Sequence, residues 1–104
     1  MRRAAKVDNS QAPIIAMLRA NGMTVKDCSK VGQGFPDLCV AFRGGTFLLE
    51  CKTRRDDCNR TKDEPRTQAQ IDFAATWAGE IGFVSSPEAA LEFVLKMAKA
   101  EGRL

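Results

Sequence analysis

Apolar residues recur along this chain at two periods, and the alternation between them outlines a mixed fold. Ile14, Ile15, Met17 and Leu18 form a helical stripe, with Ser10 as N-cap, Pro13 in the first turn and Gly22 just past the end. That predicts a first helix over about residues 10–21. Met23 to Cys28 alternates weakly and predicts a short strand. Ser29 to Phe35 carries two glycines and reads as a loop. Leu38, Val40 and Phe42 then alternate with Asp37, Cys39 and Ala41, and Phe47, Leu49 and Cys51 alternate with Leu48, Glu50 and Lys52. Gly44-Gly45 between these runs predicts a two-residue hairpin turn, because such turns need positive φ. Thr67-Gln68-Ala69-Gln70 matches a capping box and opens a helix through Ile71, Ala74, Ala75 and Ala78, closed by Gly79 and Gly82. Ile81 to Val84 is a short strand. Ser86 and Pro87 open a last helix with Ala90, Leu91, Val94, Leu95, Met97 and Ala98 on its inner face. The expected fold class is α/β, one domain in the order αβββαβα, with a mixed sheet flanked by helices.

The 14 residues from Thr53 to Arg66 fit neither period and are mostly charged. They read as a solvated loop, with a DNA-contacting or dimer-forming flap as the alternative, in which Arg54, Arg55, Arg60, Lys62 and Arg66 would meet phosphates. Residues 1–8 read as a basic tail ahead of a domain over 9–104.

Composition narrows the chemistry. The 104 residues are 44% hydrophobic and 28% charged, with a net charge of +3. This suits one core-bearing domain and is compatible with a nucleic-acid partner without requiring one. No apolar run approaches the length of a membrane span, and no apolar segment follows the basic N-terminus as in a secretory signal. A cytoplasmic protein with reduced thiols is expected. Four cysteines at 28, 39, 51 and 58 contain no CxxC. There is no histidine, which excludes Ser-His-Asp and Cys-His catalysis and the HExxH zinc site. Any catalysis must run on carboxylates, lysine, a thiol or an oxygen-held metal.

The hairpin offers such a set. With Gly44-Gly45 as the turn, Asp37 lies across from Lys52, Cys39 across from Glu50, and Glu50 diagonal to Asp37. Side-chain alternation puts Asp37, Glu50 and Lys52 on one face, opposite the core face of Leu38, Val40, Phe42, Phe47, Leu49 and Cys51. Two carboxylates there can share a Mg²⁺ or Mn²⁺ ion, beside an ammonium that can orient a water or steady developing charge. A second reading pairs both acids with Lys52 on a solvated, outward surface. Spacing does not separate the two, although Cys39, Ala41 and Leu48 make that face half apolar. Cys39 and Trp77 read as packing residues, Trp77 with base stacking as its alternative.

Gly34-Phe35-Pro36-Asp37-Leu38, then Glu50-Cys51-Lys52 after twelve intervening residues, then Thr67-x-x-Gln70 resembles the PD-(D/E)xK nuclease signature in its VRR-NUC (virus-type replication-repair nuclease) spelling. The resemblance runs from about Gly32 to Trp77. It implies a PD-(D/E)xK-like core and a metal-dependent endonuclease cutting DNA, with structure-selective action on branched or Holliday-junction-like substrates. Asp37, Glu50 and the Cys51 backbone carbonyl would bind Mg²⁺ or Mn²⁺, and Lys52 would activate the attacking water. Gln70 would lie beside the site, or would simply close the capping box. The acid that many relatives carry in the first helix is absent or displaced to Asp8, which favours one metal over two. Members of this family occur in phages, and stand-alone ones can form homodimers. RNA cleavage and a non-catalytic nucleic-acid-binding module on the same fold are the alternatives.

Overall fold

The computed structural model describes the backbone of residues 11–52, 54–57, 60–63 and 67–104, and the side chains of 11–52 and 67–104. The predicted tail, the Ser10 cap and Arg66 lie outside the described residues.

Three helices and a mixed four-stranded sheet make an α/β domain. The order is α1 (Gln11–Ala20), β1 (Thr24–Asp27), β2 (Leu38–Phe42), β3 (Gly45–Cys51), β4 (Arg54–Asp57), β5 (Arg60–Asp63), α2 (Gln68–Thr76), β6 (Ile81–Val84) and α3 (Pro87–Ala100). All seven predicted elements form near their predicted bounds. The expected order is nonetheless incomplete, because the charged segment after Lys52 is not a plain loop. β4 and β5 pair antiparallel as a separate two-stranded sheet, with Arg55 opposite Lys62 and Asp57 opposite Arg60.

The main sheet runs β1-β2-β3-β6. The first three strands pair antiparallel, and β6 returns parallel to β3 after the α2 crossover. Local chemistry accounts for the helix ends. Thr67 and Gln70 close a complete capping box on α2. Ser86 caps α3 through the Ala89 N–H, with Pro87 in the first turn. Gly22 and Gly102 take positive φ where α1 and α3 end.

One face of the sheet packs on α1 and α3. Ile14 and Leu18 of α1, Ala90, Val94 and Ala98 of α3, and Val25, Leu38, Val40, Phe47, Leu49, Cys51 and Val84 of the sheet are buried there. Among the described residues, no helix is long and apolar enough to cross a membrane.

The β2–β3 turn differs from its predicted position by one residue. Phe42 pairs with Gly45, so the turn residues are Arg43 and Gly44, with φ of 51° and 83°. Gly45 serves a different need. A Cβ there would come within 2.7 Å of the Arg103 side chain and 2.8 Å of the Phe47 ring. Arg43 takes the left-handed conformation that Gly45 was expected to supply. It is held there by its guanidinium 5.5 Å over the Phe42 ring and by the Arg103 guanidinium donating to its carbonyl at 3.3 Å.

Candidate active site

The turn shift slides every β2–β3 pair by two residues, which leaves each side chain on its original face. Leu38 faces Leu49 and Cys39 faces Leu48. One step further along this ladder, Asp37 falls opposite Glu50 rather than Lys52. The acidic pair is therefore directly opposed, the closest arrangement two strands allow. The expected Asp37–Lys52 and Cys39–Glu50 oppositions do not occur.

Asp37 is fixed from both its backbone and its side chain. Its carbonyl accepts the Cys28 N–H at 2.6 Å, which ties it to the end of β1. Its Oδ2 accepts the Cys51 N–H at 2.9 Å. A strand residue directs its N–H and C=O to the same edge. Lys52, the next residue, sends its N–H the other way, to the Val84 carbonyl at 2.8 Å. The Cys51 carbonyl is thus directed to the Asp37 side of β3.

Glu50 and Lys52 are only 4% and 5% exposed, so this face is not the solvated outward surface of the ion-pair reading. One side chain of α2 reaches this face. Gln70, in its first turn, donates through Nε2 to Glu50 Oε2 and accepts the Lys52 ammonium on Oε1 at 2.7 Å. The same Oε1 accepts the Thr67 N–H at 3.0 Å. The capping bonds and the contact with Glu50 and Lys52, posed as alternatives for Gln70, are both made by one side chain. Its partners also fix the amide's orientation, since an ammonium and an N–H can only donate and a carboxylate accepts.

Lys52 Nζ lies 3.9 Å from Glu50 Oε2, a weak ion pair for a buried couple. Glu50 Oε1 is buried and has no hydrogen-bond partner among the described residues. An unsatisfied buried carboxylate oxygen costs on the order of 1–3 kcal/mol or more. Burial, and then the neighbouring Asp37 charge, push the Glu50 carboxyl up to about 7, against the opposing pull of Lys52. A proton or a cation at Oε1 relieves the same deficit.

Gly34 explains how the loop before Asp37 meets α2. It takes φ +81°, and a Cβ there would come 2.1 Å from the Ala69 carbonyl oxygen and 3.1 Å from the Gln70 nitrogen. Backbone packs on backbone at this point, which only glycine permits. Phe35, next in the loop, packs edge-on against Phe73 of α2, with ring centroids 5.4 Å apart. Phe73 in turn stacks on Trp77 at 5.6 Å and 20°. Trp77 is 42% exposed, which corrects the expectation that it packs in the core. The helical spacing of Phe73 and Trp77 carried that ladder, but an i, i+4 aromatic pair reads first as a buried stripe.

The remaining predicted residues divide. Arg54 and Arg55 sit on β4 and Arg60 and Lys62 on β5. Their side chains lie outside the described residues. Cys28, Cys39 and Cys51 are free thiols, and Cys39 is raised by burial first and the nearby Cys28 second.

Among the described residues, no three His, Cys, Asp or Glu side chains converge to hold a metal. A cation here would rest on two carboxylates, a backbone carbonyl and water. That donor set suits Mg²⁺, which keeps several waters and takes one or two carboxylates. The orphaned Glu50 oxygen supplies the vacant valence such a site requires. Compared with protein-family models, with curated proteins and with solved structures, the chain matches none.

Proposed function

We propose that this chain is a divalent-metal-dependent nuclease that hydrolyses DNA phosphodiester bonds, a small PD-(D/E)xK-type domain in the VRR-NUC spelling. The observation that carries this reading is the acidic pair of Asp37 and buried Glu50, with Glu50 Oε1 lacking a hydrogen-bond partner among the described residues and Glu50 Oε2 joined to Lys52 through Gln70. A purely structural ion pair gains nothing from burying a carboxylate oxygen without a partner. A site that takes up a cation, and holds a proton when metal-free, does.

In this reading Asp37, Glu50 and the Cys51 carbonyl hold Mg²⁺ or Mn²⁺. When bound, the ion acidifies a water and stabilises charge on the phosphate oxygens. The chain's own residues do the rest. The Cys51 N–H anchors one Asp37 oxygen, so the other keeps a fixed direction. Gln70 holds the Lys52 ammonium beside the acidic pair, where its positive charge can steady negative charge developing on the phosphate. With its small surface, the domain has little area for reading sequence, which favours recognition of nucleic-acid shape.

Cleavage assays test the proposal. Labelled linear, flap and four-way-junction DNA, and a matching RNA, are incubated with Mg²⁺, Mn²⁺ or EDTA. Metal-dependent cutting is expected for the parent. Lys52→Ala should slow it by about 10²-fold or more while still binding Mn²⁺. If no substrate is cut under any metal, the nuclease reading falls. Binding without cutting would assign the fold to a non-catalytic module.

A further inference from the structure

Three features lie outside the acidic cluster: the neighbouring thiols Cys28 and Cys39, an open groove of about 260 Å³ between β6 and α3, and the aromatic ladder of α2. The ladder carries furthest. We propose that Phe35, Phe73 and Trp77 form a stacking platform for an unpaired nucleobase of the strand being cut. The substrate class is therefore single-stranded or flapped nucleic acid rather than continuous duplex. The proposal deepens the nuclease reading and rests on it for the identity of the strand.

The ladder begins at the acidic cluster. Phe35 is two residues before Asp37, and its ring meets Phe73. Phe73 continues to Trp77, which ends α2 as its C-cap residue. The same helix delivers Gln70 to Glu50 and Lys52. From Gln70 to Trp77 the helix advances about 10 Å. One short element thus spans from the carboxylates to an exposed indole.

These rings do not serve the core. No residue of α2 is buried, and the ladder belongs to no part of the core between the sheet and the other two helices. Phe35 and Phe73 suffice to seat the loop on the helix. Trp77 lies beyond that contact, and Gly79 passes beside its indole nitrogen where a Cβ would come within 2.9 Å. A large, 42% exposed aromatic that continues from the proposed phosphodiester site offers a face to whatever binds there. The polymer whose phosphate lies at that site carries a base on every nucleotide. In a continuous duplex the base faces are already stacked on one another. Only an unpaired base offers its face to a protein ring, and such stacking tolerates any sequence.

Trp77 is the chain's single tryptophan, so indole fluorescence reports the platform directly. The parent protein in EDTA, which prevents cutting, is titrated with a short oligothymidylate and with the same strand annealed to its complement. Saturable quenching by the single strand, and much less by the duplex, is expected. Trp77→Ala should weaken binding of a dye-labelled oligothymidylate by about 5- to 150-fold, with Trp77→Phe retaining most of the affinity. Equal binding by Trp77→Ala, or no quenching by the single strand, overturns the platform. Quenching without cleavage under any metal keeps the platform and removes the nuclease reading, while cleavage without quenching does the reverse. Emission that changes with protein concentration alone, together with dimers in sedimentation, would assign the face to a second copy of the chain and overturn the proposal.

Discussion

The Lys52 ammonium donates to the Gln70 side-chain oxygen at 2.7 Å, joining the end of β3 to the first turn of α2. That oxygen also closes the α2 capping box. The two roles separate by substitution. Gln70→Ala removes both and should cost about 1–2 kcal/mol of stability, measured by denaturant unfolding. Gln70→Glu keeps the capping box, since Glu serves at that position as well as Gln. It should keep the cap yet lose cleavage, because a third carboxylate replaces the amide N–H that Glu50 accepts and repels the acidic pair. Full activity in Gln70→Glu would reduce Gln70 to a capping residue.

Stability of the metal-free protein should fall as pH rises from about 4.5 to about 7. Below that window Glu50 is protonated in both states. Within it the unfolded chain releases the proton while the buried carboxyl, pushed up to about 7, retains it. The folded state then binds more protons, so rising pH favours unfolding. The loss should be on the order of 3 kcal/mol and level off above neutrality. Asp27 is lowered by its bonds to Ser29 and acts only at more acid pH. Glu50→Gln should abolish the slope between 4.5 and 7, which thermal melts across pH would reveal.

Metal binding should depend on both acids. Titration calorimetry with Mn²⁺ at pH 8 should show binding to the parent and much weaker binding to Asp37→Asn and Glu50→Gln. Mn²⁺ should also raise the parent's melting temperature, since a ligand of the folded state alone stabilises it. Equal Mn²⁺ heats in all three proteins would remove the carboxylates from any metal site.

Gly34→Ala should be among the most damaging single changes outside the core. The added methyl group meets the Ala69 carbonyl and must also take a positive φ. Strain of about 1–2 kcal/mol comes from the conformation alone. Relief requires the loop and α2 to separate, which would also part Gln70 from Glu50. Cleavage should therefore fall further than stability does, a comparison that activity assays well below the melting temperature can make.

Much of this arrangement was legible in the chain itself. Alternation put Asp37, Glu50 and Lys52 on one face, and parity protected that result when the turn moved by one residue. In the turn as formed, Arg103 donates to the Arg43 carbonyl, a contact sixty residues away in sequence that no local pattern carries. The strands at Arg54–Asp57 and Arg60–Asp63 left no periodic signal, since they are charged at nearly every position and are not part of the main sheet. The burial of Glu50 and Lys52 was hidden for a related reason. Gln70 reaches Glu50 and Lys52 from a helix eighteen or more residues further along the chain, and charged residues alone do not announce such a partner. Trp77 misled in the opposite sense, because an aromatic at helical spacing normally marks a core.

No residue of α2 is buried, yet α2 supplies a side chain, Gln70, that bonds to both Glu50 and Lys52. An element with so little apolar anchorage opens locally at a small fraction of the free energy of global unfolding. Each such opening withdraws Gln70 and exposes Glu50 and Lys52 to water while the sheet stays intact. Amide exchange in α2 should then be faster than in the sheet, and a populated open form would lower the apparent affinity of the assembled cluster. A strand laid along the aromatic ladder would hold α2 closed. Substrate engagement and completion of the site would then be a single equilibrium, read as slowed amide exchange in α2 when nucleic acid is added.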